Sequence, residues 1–353
     1  MNFNNSTFNI LYDHQILTLQ KFGGISRYFH ELKANMPDNI SFHQSGYNKL
    51  LFDTEFIWKR TILDYVHKTD SVSKILKSNY DIFHPTYYDP YFLNFNKKPF
   101  VLTVHDLAHE TFPLLFKNDP IIKFKKKIIY KADHIIAISE FTKNELLKFY
   151  KNLNPYKISV IYHGCSLPEY IKSFKDDINC FDYFLYTGNR GGYKNFIPLI
   201  KSISHLLIKY NIKLICTGLK FTKNELLLFN EYNISDLLIH KFANDIELSN
   251  LYSNAIAFIF PSYYEGFGLP ILECFNYGCP LLISNTSCFP EIANDAALYF
   301  DPYNAEDIYK KVESIILDFS LRNSLIINGK KRLKLFDWSK TSLLTSNIYE
   351  SLL

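Results

Sequence analysis

Short apolar runs of strand length alternate with longer amphipathic stretches along most of the chain, and this alternation constrains the fold more than any other feature. It is the pattern of doubly wound α/β domains. In the N-terminal half, Phe8 to Tyr12, Ile82 to His84, Phe100 to Val104, His134 to Ile138 and Ile158 to Tyr162 read as strands. Ile25 to Leu32 reads as an amphipathic helix, and Ser139 is placed to cap a helix from Phe141 to Tyr150. From Gly164 to Cys180 periodicity is lost and charge accumulates, which puts an interdomain linker there. The alternation then restarts with strands at Phe184 to Thr187, Lys213 to Cys216, Leu237 to His240 and Ala255 to Phe260. Helical segments fall at Phe196 to Ile208, Asn224 to Asn230 and Asp245 to Ser253, and the tail after Trp338 is helical in pattern. A chain of 353 residues, 47% of them apolar or aromatic, is long enough for two cores. The expected division is residues 1–170, residues 171–335 and a terminal helix over 336–353.

Charge and cysteine usage exclude several classes. The 39 basic and 35 acidic residues leave a net charge of +4, and no zinc module or stacked-aromatic pattern accompanies them, so nucleic acid is not an expected partner. The six cysteines, Cys165, Cys180, Cys216, Cys274, Cys279 and Cys288, show no C-x-x-C spacing and read as small buried side chains in a reducing compartment. No leader-like segment precedes the first strand, and no apolar run approaches the roughly 18 residues needed to cross a bilayer. The expected location is the cytoplasm.

The densest chemical signal is the stretch from Ala255 to Glu291. Its strand is broken by Pro261 and Ser262, and Pro270 stands where a first helical residue stands, so Glu265-Gly-Phe-Gly-Leu269 opens a helix. Gly266 and Gly268 permit positive φ or close approach to a ligand, and free amides at the helix start favour a phosphate. Glu265 and Glu273, separated by seven residues, flank this bend. A carboxylate repels phosphate, so each glutamate is better suited to accept hydrogen bonds from sugar hydroxyls. On a lone helix start the same acids would merely complement the macrodipole.

Glu265 and Glu273, the surrounding EGFGLPILE and the later Phe289-Pro-Glu291 resemble the E-x7-E signature of retaining glycosyltransferases of family 4. The resemblance extends over most of the chain. It implies a GT-B fold, two Rossmann-like domains facing each other across a cleft, with the nucleotide sugar held mainly by the C-terminal one. It also implies that the terminal helix returns to the N-terminal domain. Glu265 would then orient the transferred sugar and Glu273 the ribose, with Gly266, Phe267, Gly268 and Leu269 lining the donor site.

A second constellation, Thr187-Gly-Asn-Arg-Gly-Gly-Tyr-Lys-Asn195, follows a strand and precedes a long helix. Ligands of open α/β sheets bind beyond strand carboxyl ends, where this loop lies. Arg190 and Lys194 are four residues apart in it and can serve one pocket, with Asn189 beside them. Positioned cations stabilise the charge that develops on a departing nucleoside diphosphate. Two such cations replace a divalent ion, and no D-x-D metal motif occurs in a plausible loop. The family's matching arginine and lysine have this role. No metal or other cofactor is expected, and the nucleotide sugar is a co-substrate. A solvated basic loop is the plainer alternative.

In the N-terminal half, Lys21-Phe-Gly-Gly-Ile-Ser26 joins the first strand's loop to a helix, and Gly23 and Gly24 allow phosphate to approach their amides. His105 and Asp106 follow the strand Phe100 to Val104; the family's histidine at this site contacts the donor, which the resemblance places on His105. Asp13, Tyr87 and Tyr88 are candidate acceptor contacts, and the base is expected near His240 to Phe242. Lys123-Phe-Lys-Lys-Lys-Ile-Ile-Tyr-Lys131 is either a solvated helix or a contact for anionic lipid. The expected activity is retaining, metal-independent transfer of a hexose from GDP-mannose or a UDP-hexose to a glycan or lipid-linked saccharide. Two other classes stay open. A GT-B epimerase or phosphorylase shares the architecture, although neither an acid/base set nor a pyridoxal-phosphate lysine is evident here. A non-catalytic partner subunit could keep the fold for binding, against which the intact Glu265, Glu273, Arg190 and Lys194 argue.

Overall fold

The computed structural model describes residues 7–19, 23–46, 57–165 and 181–353, with side chains from residue 63 onward in the third of these segments. Lys21, Phe22, Cys180 and most of the expected linker lie outside the described residues. Cα packing divides the chain into two compact units, one of Met1–Gly164 with Asp337–Leu353 and one of Cys165–Phe336.

The first unit holds β1 (Phe8–Tyr12), β2 (Ile40–Gln44), β3 (Ile82–His84), β4 (Val101–Val104), β5 (His134–Ala137) and β6 (Ile158–Val160). All pair in parallel, in the orders β2-β1-β3 and β4-β5-β6, and a parallel bridge between Phe83 and Phe100 joins the two sets. Strands such as Ile82-Phe-His84 and Val101–Val104 are buried throughout, as parallel sheets covered on both faces require. Ser139 accepts from the Thr142 amide and starts the helix Glu140–Phe149. The core contains Ile10, Tyr12, Tyr28, Phe29, Leu32 and Ile82, together with Trp338 and Tyr349 from the helix Trp338–Glu350. That terminal helix is pinned by polar bonds as well. Thr341 Oγ1 donates to Tyr162 O at 2.7 Å, Ser342 Oγ to Leu32 O at 3.1 Å, and the Tyr349 hydroxyl meets His84 Nδ1 at 2.7 Å.

The second unit holds β7 (Tyr183–Tyr186), β8 (Lys213–Thr217), β9 (Leu238–Lys241), β10 (Ala257–Phe260), β11 (Leu281–Ser284) and β12 (Leu298–Phe300). Their order, β12-β11-β10-β7-β8-β9, is parallel throughout. The helix Phe196–Tyr210 buries Leu199, Ile203, Leu206 and Leu207, and Ala305–Leu317 buries Ile308, Val312 and Ile315, on one shared core. Both units are therefore α/β with parallel, doubly wound sheets. The helix Ile57–Lys77, β2, β11, β12 and the helices Ala305–Leu317 and Phe319–Leu333 were not marked by the sequence pattern described above. The five described cysteines are free, and all but Cys165 are buried. Among the described residues no helix is long and apolar enough to cross a membrane.

Candidate active site

In the second unit the strand order reverses between β7 and β10, so the crevice beyond their carboxyl ends is the ligand position that such a sheet provides. Both sequence constellations sit there. After β7, Gly188 has φ +97, and its carbonyl oxygen would lie 2.9 Å from a Cβ built on Gly218. Glycine is thus needed at position 188 for its backbone angle and at position 218, just after β8, for the close crossing of the two loops. Asn189 Oδ1 accepts from the Gly191 amide at 3.0 Å, and the turn Gly192–Lys194 ends on Asn195, itself left-handed at φ 57. After β10, Gly268 at φ 85 caps the helix Leu269–Tyr277. Leu269 is its first residue and Pro270 its second, one position later than the sequence reading placed it.

The two loops are tied together. Tyr263 N donates to Tyr193 O at 2.8 Å, and Lys194 Nζ donates to Glu265 Oε1 at 2.6 Å. The same carboxylate oxygen accepts from Ser262 Oγ at 2.9 Å, while the Glu265 amide donates to Ser287 Oγ at 3.3 Å, from the segment after β11. Glu273 Oε2 accepts from the Tyr252 hydroxyl at 3.0 Å. Burial, and after it the Glu273 carboxylate, holds that phenol well above its ordinary range.

Arg190 and Lys194 reach different carboxylates. Arg190 Nε donates to Glu225 Oε1 at 2.7 Å, and Nη2 donates to Glu225 Oε2 at 3.3 Å and to Lys220 O at 2.8 Å. Nη1 is buried and has no partner among the described residues. On the other flank of the sheet, His240 Nε2 lies 2.9 Å from Gly218 O, and the exposed Phe242 ring stands edge-on to it at 4.9 Å. Phe267 is turned inward, buried and edge-on to Phe336 at 5.9 Å, whereas Gly266 keeps negative or extended φ.

The first unit collects its candidate residues at its own strand carboxyl ends. Asp13 is fully buried: Oδ1 accepts from Thr86 N at 2.9 Å and Thr86 Oγ1 at 2.6 Å, and Oδ2 from Gln15 Nε2 at 2.7 Å and Tyr91 Oη at 3.2 Å. Its lone pairs are taken by neighbours that hold β1 to the segment after β3. Tyr88 is buried and accepts from the His105 amide at 3.0 Å; Tyr87 is half-buried beside it. Gly23 and Gly24 are exposed at the start of the helix Gly24–Ala34, with Gly23 extended at φ 163. His105 is 7% exposed, and its Nε2 has no partner among the described residues. Burial, reinforced by the Lys125 ammonium and opposed by Asp106, pulls its pKa down to about 4, so the ring is neutral near pH 7.

The basic run is not uniformly solvated. In the helix Ile121–Lys131, Lys123, Lys126, Lys127 and Lys131 face outward, but Lys125 is fully buried. Its Nζ donates to Asp106 O at 2.9 Å and to Glu110 Oε2 at 3.2 Å, and lies 4.8 Å from the centre of the Tyr88 ring. Among the described residues no cluster of His, Cys, Asp and Glu is arranged to hold a metal ion.

Residues 173–332 match the family described as Glycosyl transferases group 1, and residues 22–167 match Glycosyltransferase Family 4. The chain belongs to the group 1, family 4 glycosyltransferases. Members of this retaining family generally use nucleotide-sugar donors without a metal ion. The chain is 28% identical over 291 residues to the O-antigen chain mannosyltransferase B of Escherichia coli, covering 77% of this chain and 74% of that one. It is 27% identical over 217 residues to the O-antigen chain mannosyltransferase RfbU of Salmonella typhimurium, covering 61% and 60%. Its fold is that of GT-B enzymes. Sucrose-phosphate synthase from Thermosynechococcus elongatus superimposes with a TM-score of 0.78 at 18% identity, over 98% of this chain and 99% of that one. Anabaena HepE in complex with UDP and glucose gives 0.75 at 15% identity, over 98% and 100%.

In the second unit Glu225 and Tyr252, which bond the candidate residues Arg190 and Glu273, escaped the sequence reading, as did the bond of Ser262 to Glu265 and, in the first unit, the burial of Lys125. Thr222-x-x-Glu225 is a legible capping box, and both of its reciprocal bonds form. That its carboxylate would also take Arg190 is a contact between segments 35 residues apart, which no local pattern announces.

Proposed function

We propose that this glycosyltransferase moves a hexose, with mannose the leading candidate, from GDP-mannose or a UDP-hexose to a glycan or lipid-linked saccharide in surface polysaccharide synthesis. The observation that carries the reading is the Lys194–Glu265 pair at 2.6 Å beyond the carboxyl ends of β7 and β10. A cation suited to a diphosphate and a carboxylate suited to sugar hydroxyls are thereby neighbours in an anion-favouring crevice. The O-antigen mannosyltransferases among its relatives support the choice of sugar and product class.

In this reading the bond between the anomeric carbon and the diphosphate oxygen breaks, and the acceptor oxygen forms the new bond on the same face. The acceptor's proton passes to the departing phosphate oxygen. Arg190, Lys194 and the amides at Gly268 and Leu269 stabilise the diphosphate, with Asn189 alongside. Glu265 orients the sugar, Glu273 the ribose, and the base lies near His240 and Phe242. Within the N-terminal unit, His105 is a neutral imidazole with Nε2 available to a ligand, Gly23 and Gly24 offer exposed amides suited to phosphate, and half-buried Tyr87 is the candidate acceptor contact, backed by buried Tyr88. Asp13 supports this region from within.

A thermal-shift series with GDP, UDP and ADP tests the donor class, because a ligand of the native state raises the transition by mass action. One nucleotide is expected to stand clear of the other two, and its hexose conjugate is expected to be slowly hydrolysed. No shift with any of the three, and no nucleotide release from a panel of sugar conjugates, would remove the proposal. The outward lysines of the helix Ile121–Lys131 extend it to an anionic membrane surface. Flotation with anionic but not neutral vesicles, lost in moderate salt, is the expected result, and equal flotation with both would exclude that surface.

A further inference from the structure

We propose that Glu225 is a positioning residue for the transfer reaction: it locks the Arg190 guanidinium so that only its Nη1 edge is offered to a nucleoside diphosphate. This inference rests on the donor-site reading above and assigns a task to a residue outside both sequence motifs. A guanidinium has five N–H donors. The Nε proton goes to Glu225 Oε1 at 2.7 Å, and the Nη2 protons go to Glu225 Oε2 at 3.3 Å and Lys220 O at 2.8 Å. The ring centres of Phe221 and Phe196 lie 4.9 and 5.6 Å from the guanidinium carbon. Only the two Nη1 protons are left, and they are buried without a partner among the described residues. Leaving a buried donor unpaired costs about 1–3 kcal/mol, so the arrangement makes sense where an anion completes it.

Glu225 is itself held rigidly. Thr222 N donates to its Oε2 at 2.7 Å, and its own amide donates to Thr222 Oγ1 at 3.3 Å, closing the capping box of the helix Lys223–Glu231. Burial alone would push this carboxyl up, but the bonds from Arg190 and Thr222 bring it below the usual carboxylate range, so it is ionised at neutral pH. The pair is nearly shielded from solvent, with 5% and 8% of the two side chains exposed. Bidentate pairing of this kind fixes direction as well as charge. It also balances the arginine's charge before a ligand arrives, so recognition depends on where the N–H edge points rather than on an uncompensated cation.

The test is a double-mutant cycle on donor turnover, with folded protein confirmed for each variant. Glu225→Ala is expected to lower kcat at least tenfold with the donor KM changed less than threefold, and Glu225→Ala combined with Arg190→Ala to be no slower than Arg190→Ala alone. Thr222→Ala, which removes one bond of the cap and leaves Arg190 paired, is expected to lower the melting temperature while keeping kcat within threefold. An equal loss from Glu225→Ala in both backgrounds, or a Thr222→Ala enzyme as slow as Glu225→Ala, would overturn the positioning role while leaving the donor site intact. Parent-like turnover of Arg190→Ala would instead sink the donor-site reading, and this inference with it.

Discussion

Replacing Lys194 by methionine keeps much of the side chain's length and removes its charge. In the resting protein that charge is spent on Glu265, at 2.6 Å and with 20% and 16% of the two side chains exposed. During transfer the diphosphate gains negative charge, and a cation about 4 Å away in surroundings of effective dielectric about 20 contributes about 4 kcal/mol. Loss of a single positioned oxyanion donor costs about 2.7–4 kcal/mol, which agrees. The expected fall in kcat is therefore about a hundredfold to a thousandfold. Nucleoside diphosphate release from saturating donor measures it, with circular dichroism confirming the fold. Turnover within threefold of the parent would refute the assignment. The same pair makes a second, opposite expectation for Glu265→Gln. Freed from its carboxylate, Lys194 should bind nucleoside diphosphate about fivefold more tightly, taking about 1 kcal/mol for a partly shielded pair. Sugar transfer should nevertheless fall at least tenfold, because the charged acceptor for the sugar hydroxyls is gone. Weaker nucleotide binding in this variant would show that the pair does not compete with the ligand.

Three stability predictions follow from the N-terminal unit. A Cβ on Gly164 would lie 2.3 Å from Trp338 N and 2.6 Å from Trp338 Cγ, so Gly164→Ala should cost about 1–3 kcal/mol and speed proteolysis of the terminal helix; an unchanged melting curve would refute this. Lys125→Met strands the Glu110 carboxylate, which is 5% exposed, and should cost about 3–5 kcal/mol, whereas Lys126→Gln on the outer face should stay within about 0.5 kcal/mol; similar urea midpoints for the two would count against the buried clasp. Burial, with His105 nearby, holds His84 down to about 3, below the roughly 6.5 of the unfolded chain. The unfolded state therefore takes up a proton that the folded state refuses. Stability from this group is complete above about pH 6.5 and falls by up to about 1.4 kcal/mol per unit as pH drops toward the folded value. His84→Gln should lose less stability than the parent between pH 7.5 and 5.5, and equal losses in urea titrations would refute it.

The elements that were legible in the sequence share a physical reason. Tyr183–Tyr186 and Ala257–Phe260 are short, buried throughout and soon followed by Gly188 and Pro261, and helices such as Glu140–Phe149 and Asp245–Asn254 open on the side-chain caps Ser139 and Asn244. β2 was not legible because Ile40-Ser-Phe-His-Gln44 alternates burial weakly on polar residues and gains its identity by pairing with β1. The lysine run shows the reverse limit. Lys123, Lys125, Lys126 and Lys127 are alike in composition, yet helix rotation sends Lys125 inward to Asp106 and Glu110 and the others to water. Asp13 likewise ends a strand in a ligand-facing position by pattern, and the donors around it consume its lone pairs.

By itself the sequence determined that two parallel α/β sheets form, that a glycine loop follows β7, and that two glutamates flank a helix start after β10. These are consequences of local periodicity, backbone freedom and capping, all acting over a few residues. Only the tertiary structure decided which charges meet. Lys194 finds Glu265 because β7 and β10, distant in sequence, are neighbours in the sheet. Arg190, four residues earlier, finds Glu225 because the loop crosses at Gly188 and Gly218. Electrostatic partnership depends on distances of a few ångströms between segments that chain topology brings together, and that information is absent from any local stretch of residues.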